Sequence, residues 1–230
     1  MCKDHLKKKN DNSDPSTSPA ITNFPSPLAK NRPILTYQEK IDIIASHFKN
    51  IMETLGLDLE DDSLKKTPER VARMYVEEVF SGLKEENFPK MSFFKDEFHH
   101  QHAANMVFLK VGFTSFCEHH FVPMKGYAYV AYIPDKQLIG LSKIPRLVRF
   151  FSRRPQLQER LTAQIADSLA LLIESENVAV SVNARHYCVM ARGIQDENSH
   201  TITNVLRGEF DSNEKIRKEF FEGINRRDLD

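Results

Sequence analysis

Residues 106–133 read MVFLKVGFTSFCEHHFVPMKGYAYVAYI. The runs at 106–113 and 126–133 are rich in β-branched and aromatic residues, the composition of strands. Between them lies Cys117-Glu118-His119-His120-Phe121, which puts a thiol, a carboxylate and two imidazoles on one connection. This predicts two paired strands with a reactive turn. Cys117 and His120 stand three apart, so a bend lets both converge on one point, whereas a straight strand would send them to opposite faces.

Outward from this hairpin, QLIGL (137–141) reads as a short strand leading into helices over 143–153 and 156–174. The second places Leu157, Leu161, Ile165, Leu169 and Leu172 on one face. VAVSVNARHYCV (178–189) and HTITNVLRGEF (200–210) read as strands again, before a last helix near 213–224. Upstream, Thr36-Tyr37-Gln38-Glu39 is a capping box followed by Ile41, Ile44, Phe48, Ile51 and Leu55 at helical steps. Thr67-Pro68-Glu69 starts another helix, with Thr67 as its cap and Pro68 at the first helical position, which ends before Gly82. Two hairpins flanking a helical pair predict an α+β fold, a four-stranded antiparallel sheet with helices packed on one face and an N-terminal helical extension. The expected organisation is a disordered tail over 1–35, a helical region and loop over 36–104, and a catalytic domain over 105–230.

The chain has 230 residues, 40% of them apolar, enough for a sizeable core. Lysine plus arginine equals aspartate plus glutamate at 32 each, so no global field draws it to nucleic acid or to a membrane surface. No apolar run reaches the ~18 residues that span a bilayer. MCKDHLKKKN has charge with no hydrophobic segment behind it, which argues against a signal peptide. Cys2, Cys117 and Cys188 are too few for a disulfide framework, and a reducing, cytoplasmic setting is expected.

His186 and Cys188 are two apart on the expected strand and therefore share a face. If that face meets the Cys117 turn, Cys117, His120 and Cys188 form a three-ligand nitrogen and sulfur set, with His119 and His186 near it and uncoordinated. Three protein ligands and an open position are the pattern of catalytic zinc, which lowers the pKa of a bound water to about 7. Two alternatives stand beside this: a Cys117–Cys188 disulfide, and Cys117 as a nucleophile with His119 as its base. Glu118 reads as a solvated carboxylate, and His99, His100 and His102 as part of a polar loop. Between Lys143 and Arg160 there are six positive charges and one negative, Glu159. Lys143, Arg146, Arg149 and Arg153 share one face of the expected helix, and Ser142 stands at its start, where free N–H groups suit an anion. Arg149, Arg153 and Arg154 read equally well as a solvated basic face or an ion-paired interface. Arg192 adds a cation near the metal, and Glu159 offers the two parallel acceptors that guanine's ring N–H and amine require.

CEHHF, the run IGLSKIPRLVRFFSRRPQLQERLTAQIADSL (139–169) and HYCVMARG (186–193), in this order, closely resemble the zinc-dependent GTP cyclohydrolase I family. DDSLKKTPERVARMYVEEVFSGL (61–83) resembles it too, so the likeness spans about 36–224. The resemblance implies the tunnelling fold, zinc on Cys117, His120 and Cys188, and hydrolysis of GTP to 7,8-dihydroneopterin triphosphate and formate at the head of tetrahydrofolate and pterin synthesis. It implies proton transfer by His119 and His186, with Ser142 counted among the catalytic residues while holding the triphosphate and ribose side with Lys143, Arg146 and Arg192. Gln158 and Glu159 correspond to the guanine-reading pair, and Arg70 to an arginine lent by a neighbouring subunit. It implies a homodecamer of two pentameric rings. The competing expectation is a nitrile reductase of the same superfamily, acting on a deazaguanine through Cys117 or Cys188 with a nicotinamide cofactor.

Overall fold

The computed structural model describes residues 28–95, 106–135 and 137–227. Most of the expected tail and the loop holding His99, His100 and His102 lie outside the described residues.

Helix α1, Tyr37–Thr54, begins at the capping box read from the sequence: Glu39 N–H donates to Thr36 Oγ1, and Thr36 N–H to the Glu39 carboxylate at 2.7 Å. Helix α2, Thr67–Arg73, takes the expected cap Thr67 as its first helical residue after Lys66, with no side-chain cap bond; it has proline in its first turn and runs on as a π-helical turn over Met74–Val79, followed by 3₁₀ turns at Ser81–Leu83 and Glu85–Asn87. The remaining elements are strands β1 (Phe93–Lys95), β2 (Val107–Cys117), β3 (Pro123–Tyr132) and β4 (Gln137–Ile139), helix α3 (Lys143–Ser152), strand β5 (Pro155–Gln156), helix α4 (Gln158–Ile173), strand β6 (Val178–His186), helix α5 (Tyr187–Met190), strand β7 (Thr201–Leu206), and helices α6 (Glu209–Ser212) and α7 (Glu214–Arg227).

Strands β2, β3, β6 and β7 form the expected antiparallel set, but the sheet has five strands in the order β5-β2-β3-β6-β7. The addition is β5, a two-residue strand parallel to the end of β2, with Phe116 opposite Pro155 and Cys117 opposite Gln156. So short a strand carries no periodicity in the sequence. QLIGL is a strand, yet it pairs with β1 in a separate two-stranded sheet.

The expectation of helices on one face also needs correction. Ala128, Val130 and Tyr132 of β3 and Val178, Val180 and Val182 of β6 pack with Ile144, Leu147 and Phe151 of α3 and Leu161, Ile165 and Leu169 of α4. The alternate residues Tyr129, Ala131 and Ala179 join Phe210 and Phe220 of α6 and α7 on the opposite face. With both faces covered, β3 is buried from Ala128 to Tyr132 and reads as a continuous apolar run instead of alternating.

Strands β2 and β6 run the same way, each antiparallel to β3. Their C-terminal ends therefore lie at one end of the sheet. Period two carries the core-facing set Val111, Phe113 and Ser115 on to Cys117, and the set Val180, Val182 and Ala184 on to His186.

Candidate active site

At that end of the sheet Cys117 closes β2 and the chain turns back. Phe121 N–H donates to the Cys117 carbonyl (2.9 Å), a single helical turn that sets residues 117 and 120 side by side, and Cys117 N–H donates to Val122 O (2.9 Å). The turn is finished by Phe121 in the left-handed region, φ 54°, an uncommon conformation for a bulky side chain that packing must hold. Phe121 and Phe116 both stack edge-on against Phe80, and Phe121 also meets Tyr75, which ties the turn to the π-helical segment.

Glu118 is not a solvated carboxylate. It takes two parallel bonds from the Arg160 guanidinium, 2.7 and 3.0 Å, with both side chains largely buried, and its N–H donates to Gln156 O. This pair pins the turn to the start of α4. Sequence reasoning missed it because the partners are 42 positions apart.

Cys188 does not continue strand β6, which ends at His186; the chain coils into α5, and Cys188 sits in its short helical turn. The strand argument for its orientation therefore fails, yet the three expected ligands meet: one ligand atom each from Cys117, His120 and Cys188 lies within 4.8 Å of the others. Both thiols are free, so the disulfide alternative is not formed. Burial and the adjacent Cys117 push the Cys188 thiol up, and Arg192 pulls it down. A buried thiol, a half-buried thiol and an exposed imidazole gathered together suit a borderline-soft cation, which binds thiolate at about 2.3 Å and imidazole at about 2.0 Å and offsets the cost of desolvating the thiolates. Arg192 donates to His120 Nε2 (2.7 Å), so the expected cation reaches the group directly.

His186 faces the beginning of α4, where Gln158 is 2% exposed. The Gln158 amide donates to Val182 O (3.0 Å), Thr201 O (2.9 Å) and Thr203 Oγ1 (3.2 Å). Carbonyl oxygens only accept, so these bonds fix which end of the carboxamide is nitrogen, and Oε1 is left to accept from His186 Nε2–H at 2.7 Å. The ring proton is thereby placed on Nε2. Burial pushes the His186 imidazole down and the Glu159 carboxylate opposes it. The Gln158 carboxamide is thus committed inside the protein, whereas Glu159 beside it is exposed.

The other expected residues spread around this centre. His119 is exposed, its ring 6.3 Å from that of His120. Ser142 is the N-cap of α3, Lys143 and Arg146 lie on its first turns, and Arg70 is exposed on α2. Among the described residues none of these four makes a hydrogen bond or ion pair to the Cys-His-Cys group.

A mixed sheet sandwiched by helices, with a thiol–imidazole–thiol cluster at the end of two strands, defines an α+β protein with a candidate metal centre. The comparisons narrow the class. The profile of the GTP cyclohydrolase I family matches residues 44–225. A Vibrio cholerae protein described as GTP cyclohydrolase 1 is 48% identical over 200 residues, covering 86% of this chain and 90% of its own. Proteins of the same description from Aeromonas hydrophila (48%, covering 87% of this chain and 90% of its own) and Erwinia tasmaniensis (52%, covering 80% and 83%) agree. The chain belongs to the GTP cyclohydrolase I family.

Proposed function

We propose that the chain is a GTP cyclohydrolase I, a hydrolase that converts GTP and water to 7,8-dihydroneopterin triphosphate and formate. Family membership supports the reaction; the observation that carries its chemistry is the convergence of Cys117, His120 and Cys188 within 4.8 Å.

Those three residues would hold zinc, which supplies an acidified water as the nucleophile for opening the guanine imidazole ring. His186, neutral near pH 7 because burial disfavours its charged form, serves as a proton carrier at a stated atom: Nε2 is tied to Gln158, and Nδ1 is left to exchange a proton with the base. His119, exposed beside His120, is the second carrier. The guanine-reading contact belongs to Glu159, and Gln158 is reassigned as the residue that orients His186. Ser142, Lys143 and Arg146 at the start of α3, with Arg192, hold the triphosphate and ribose, and Arg70 serves a neighbouring subunit's site in an oligomer, expected to be a decamer. Holding both ends of the substrate is what lets one site open the base and rebuild the ring without releasing it.

The test is incubation of the purified protein with GTP, following formate and the pterin chromophore, with metal analysis of the same sample. About one zinc per chain and both products are expected. Cys188→Ser should lose the metal and the turnover while its circular dichroism stays native, because the apolar core does not include that residue. Zinc-free active protein, or full turnover by Cys188→Ser, overturns the ligand assignment. Among the described residues no helix is long and apolar enough to cross a membrane.

A further inference from the structure

The outer face of α3 holds a second feature, which shares only Arg146 with the residues assigned to the substrate. Arg146, Arg149 and Arg153, about one turn apart, line a cleft of about 430 Å³ whose opposite wall is Tyr37, Ser81 and Asn87 of the N-terminal region. A volume of that size suits a small-molecule ligand.

Its charge is unbalanced. Among the described residues no carboxylate pairs with any of the three arginines, and the one acid in the wall, Glu77, is bonded to Arg73 at 3.2 Å. Burial and the charge of Arg149 both push Arg153 down from the usual guanidinium range, with Glu78 opposing, so like charges are packed side by side. Arg153 reaches the Ser81 hydroxyl at 3.4 Å, which adds a neutral hydrogen-bonding group to the cationic wall.

The wall is built and not a chance approach. Gly82 N–H donates to Arg153 O (2.9 Å) and Arg154 Nε donates to Gly82 O (2.6 Å). The buried Arg154 also lies over the Phe150 ring, 4.6 Å from its centroid. A Cβ on Gly82 would come within 2.1 Å of Phe150 O, so only glycine permits this docking.

We propose that this cleft binds a small phosphate-bearing anion, a phosphate or diphosphate group, at a site separate from the substrate's own at Ser142 and Lys143. Three planar guanidinium forks match phosphate oxygens in pairs, which one carboxylate would leave largely unused. Its walls come from the N-terminal region and from α3, so an occupant contacts both. Arg146 stands on the border of the two sites. Diphosphate binding by the cleft stands without the GTP reading, whereas its separation from the substrate site, and the kinetic arm of the test, rest on that reading.

Inorganic diphosphate is the probe, titrated calorimetrically into the full chain at low ionic strength, where surface charges are least screened. Lys143→Ala should keep one diphosphate site. Arg149→Gln/Arg153→Gln should weaken that site at least tenfold while kcat and KM for GTP move less than twofold. Arg149→Lys/Arg153→Lys, which keeps the charge and loses the fork, should fold and bind with intermediate strength; it carries the test if the glutamine variant fails to fold. Four results overturn the proposal: no diphosphate bound by the wild type at millimolar concentration, no site left in Lys143→Ala, a KM for GTP that rises in step with the loss of diphosphate, or an altered sedimentation coefficient in the arginine variants with diphosphate binding unchanged. The third would make the arginines part of the substrate site, and the fourth would make them a contact between subunits.

Discussion

His186 is held by one hydrogen bond from a side chain that is itself held by three, and this asymmetry decides what Gln158 does. Gln158→Leu removes the acceptor for Nε2–H and the amide donor to Val182 O and Thr201 O, while Thr203 Oγ1 keeps its bond to Thr162 Oγ1, so kcat is expected to fall about 10- to 100-fold, the usual range for a partner that orients a functional imidazole. Zinc content should stay at the wild-type level. Gln158→Glu, which restores an acceptor to His186, should recover part of kcat without returning thermal stability, because a carboxylate cannot donate to Val182 O and Thr201 O. Equal loss in both variants would make the role purely structural. At this scale the sequence was readable for Cys117, His120 and Cys188, whose chemistry is written in residue type. It was not readable for Gln158 or Glu118, because an amide or a carboxylate acquires its role only from partners 24 to 45 positions away.

Helices announced themselves through local rules and the junctions between them did not. The Thr36 box, Pro68 and the Leu161, Ile165, Leu169 stripe depend on neighbours three or four residues apart, and all three were found in place. The Arg153–Gly82 and Arg154–Gly82 contacts span about 70 positions, so the burial of Arg154, at 4% exposure, had no local signal. Gly82→Ala should therefore lower stability by about 1–3 kcal/mol through overpacking, seen as a reduced midpoint in urea, while an alanine at exposed Gly56, where nothing crowds a Cβ, has strain from its positive φ alone. The capping box gives a pH dependence. Hydrogen bonds from Thr36 hold the Glu39 carboxyl below its ordinary value of 4.5, so the unfolded chain binds the proton more readily than the folded one. The cap's contribution is full above that value and is lost as pH falls through the lower folded one. Protection factors for amide exchange at the first turn of α1 should fall over that acid range, and Glu39→Gln should flatten the response.

For the molecule as a whole, composition and pattern gave the α+β class, while the expected four-stranded antiparallel sheet is a five-stranded one with β5 added in parallel. The second helical layer was missed because α7 covers the sheet through Phe220 and its aromatic neighbours, a long-range packing choice that one amphipathic stripe does not specify. Sedimentation of the purified chain should show a large ring-like oligomer, with ten chains expected, and Arg70→Ala should reduce turnover while sedimenting as the wild type does. A monomer with full activity would contradict a shared site.

The order β5-β2-β3-β6-β7 leaves β7 at one border, while at the other β2 receives only a two-residue companion at its end among the described residues. A ribbon bounded by two different borders has a head and a tail. Copies that join border to border then add in one direction, and such growth stops only when the turn per copy divides a full circle, and otherwise runs on into a fibre. The twist that strands of a sheet carry would set that angle, and changes far from the Cys-His-Cys group, in the residues that shape the twist, would decide whether the copies make a closed wheel.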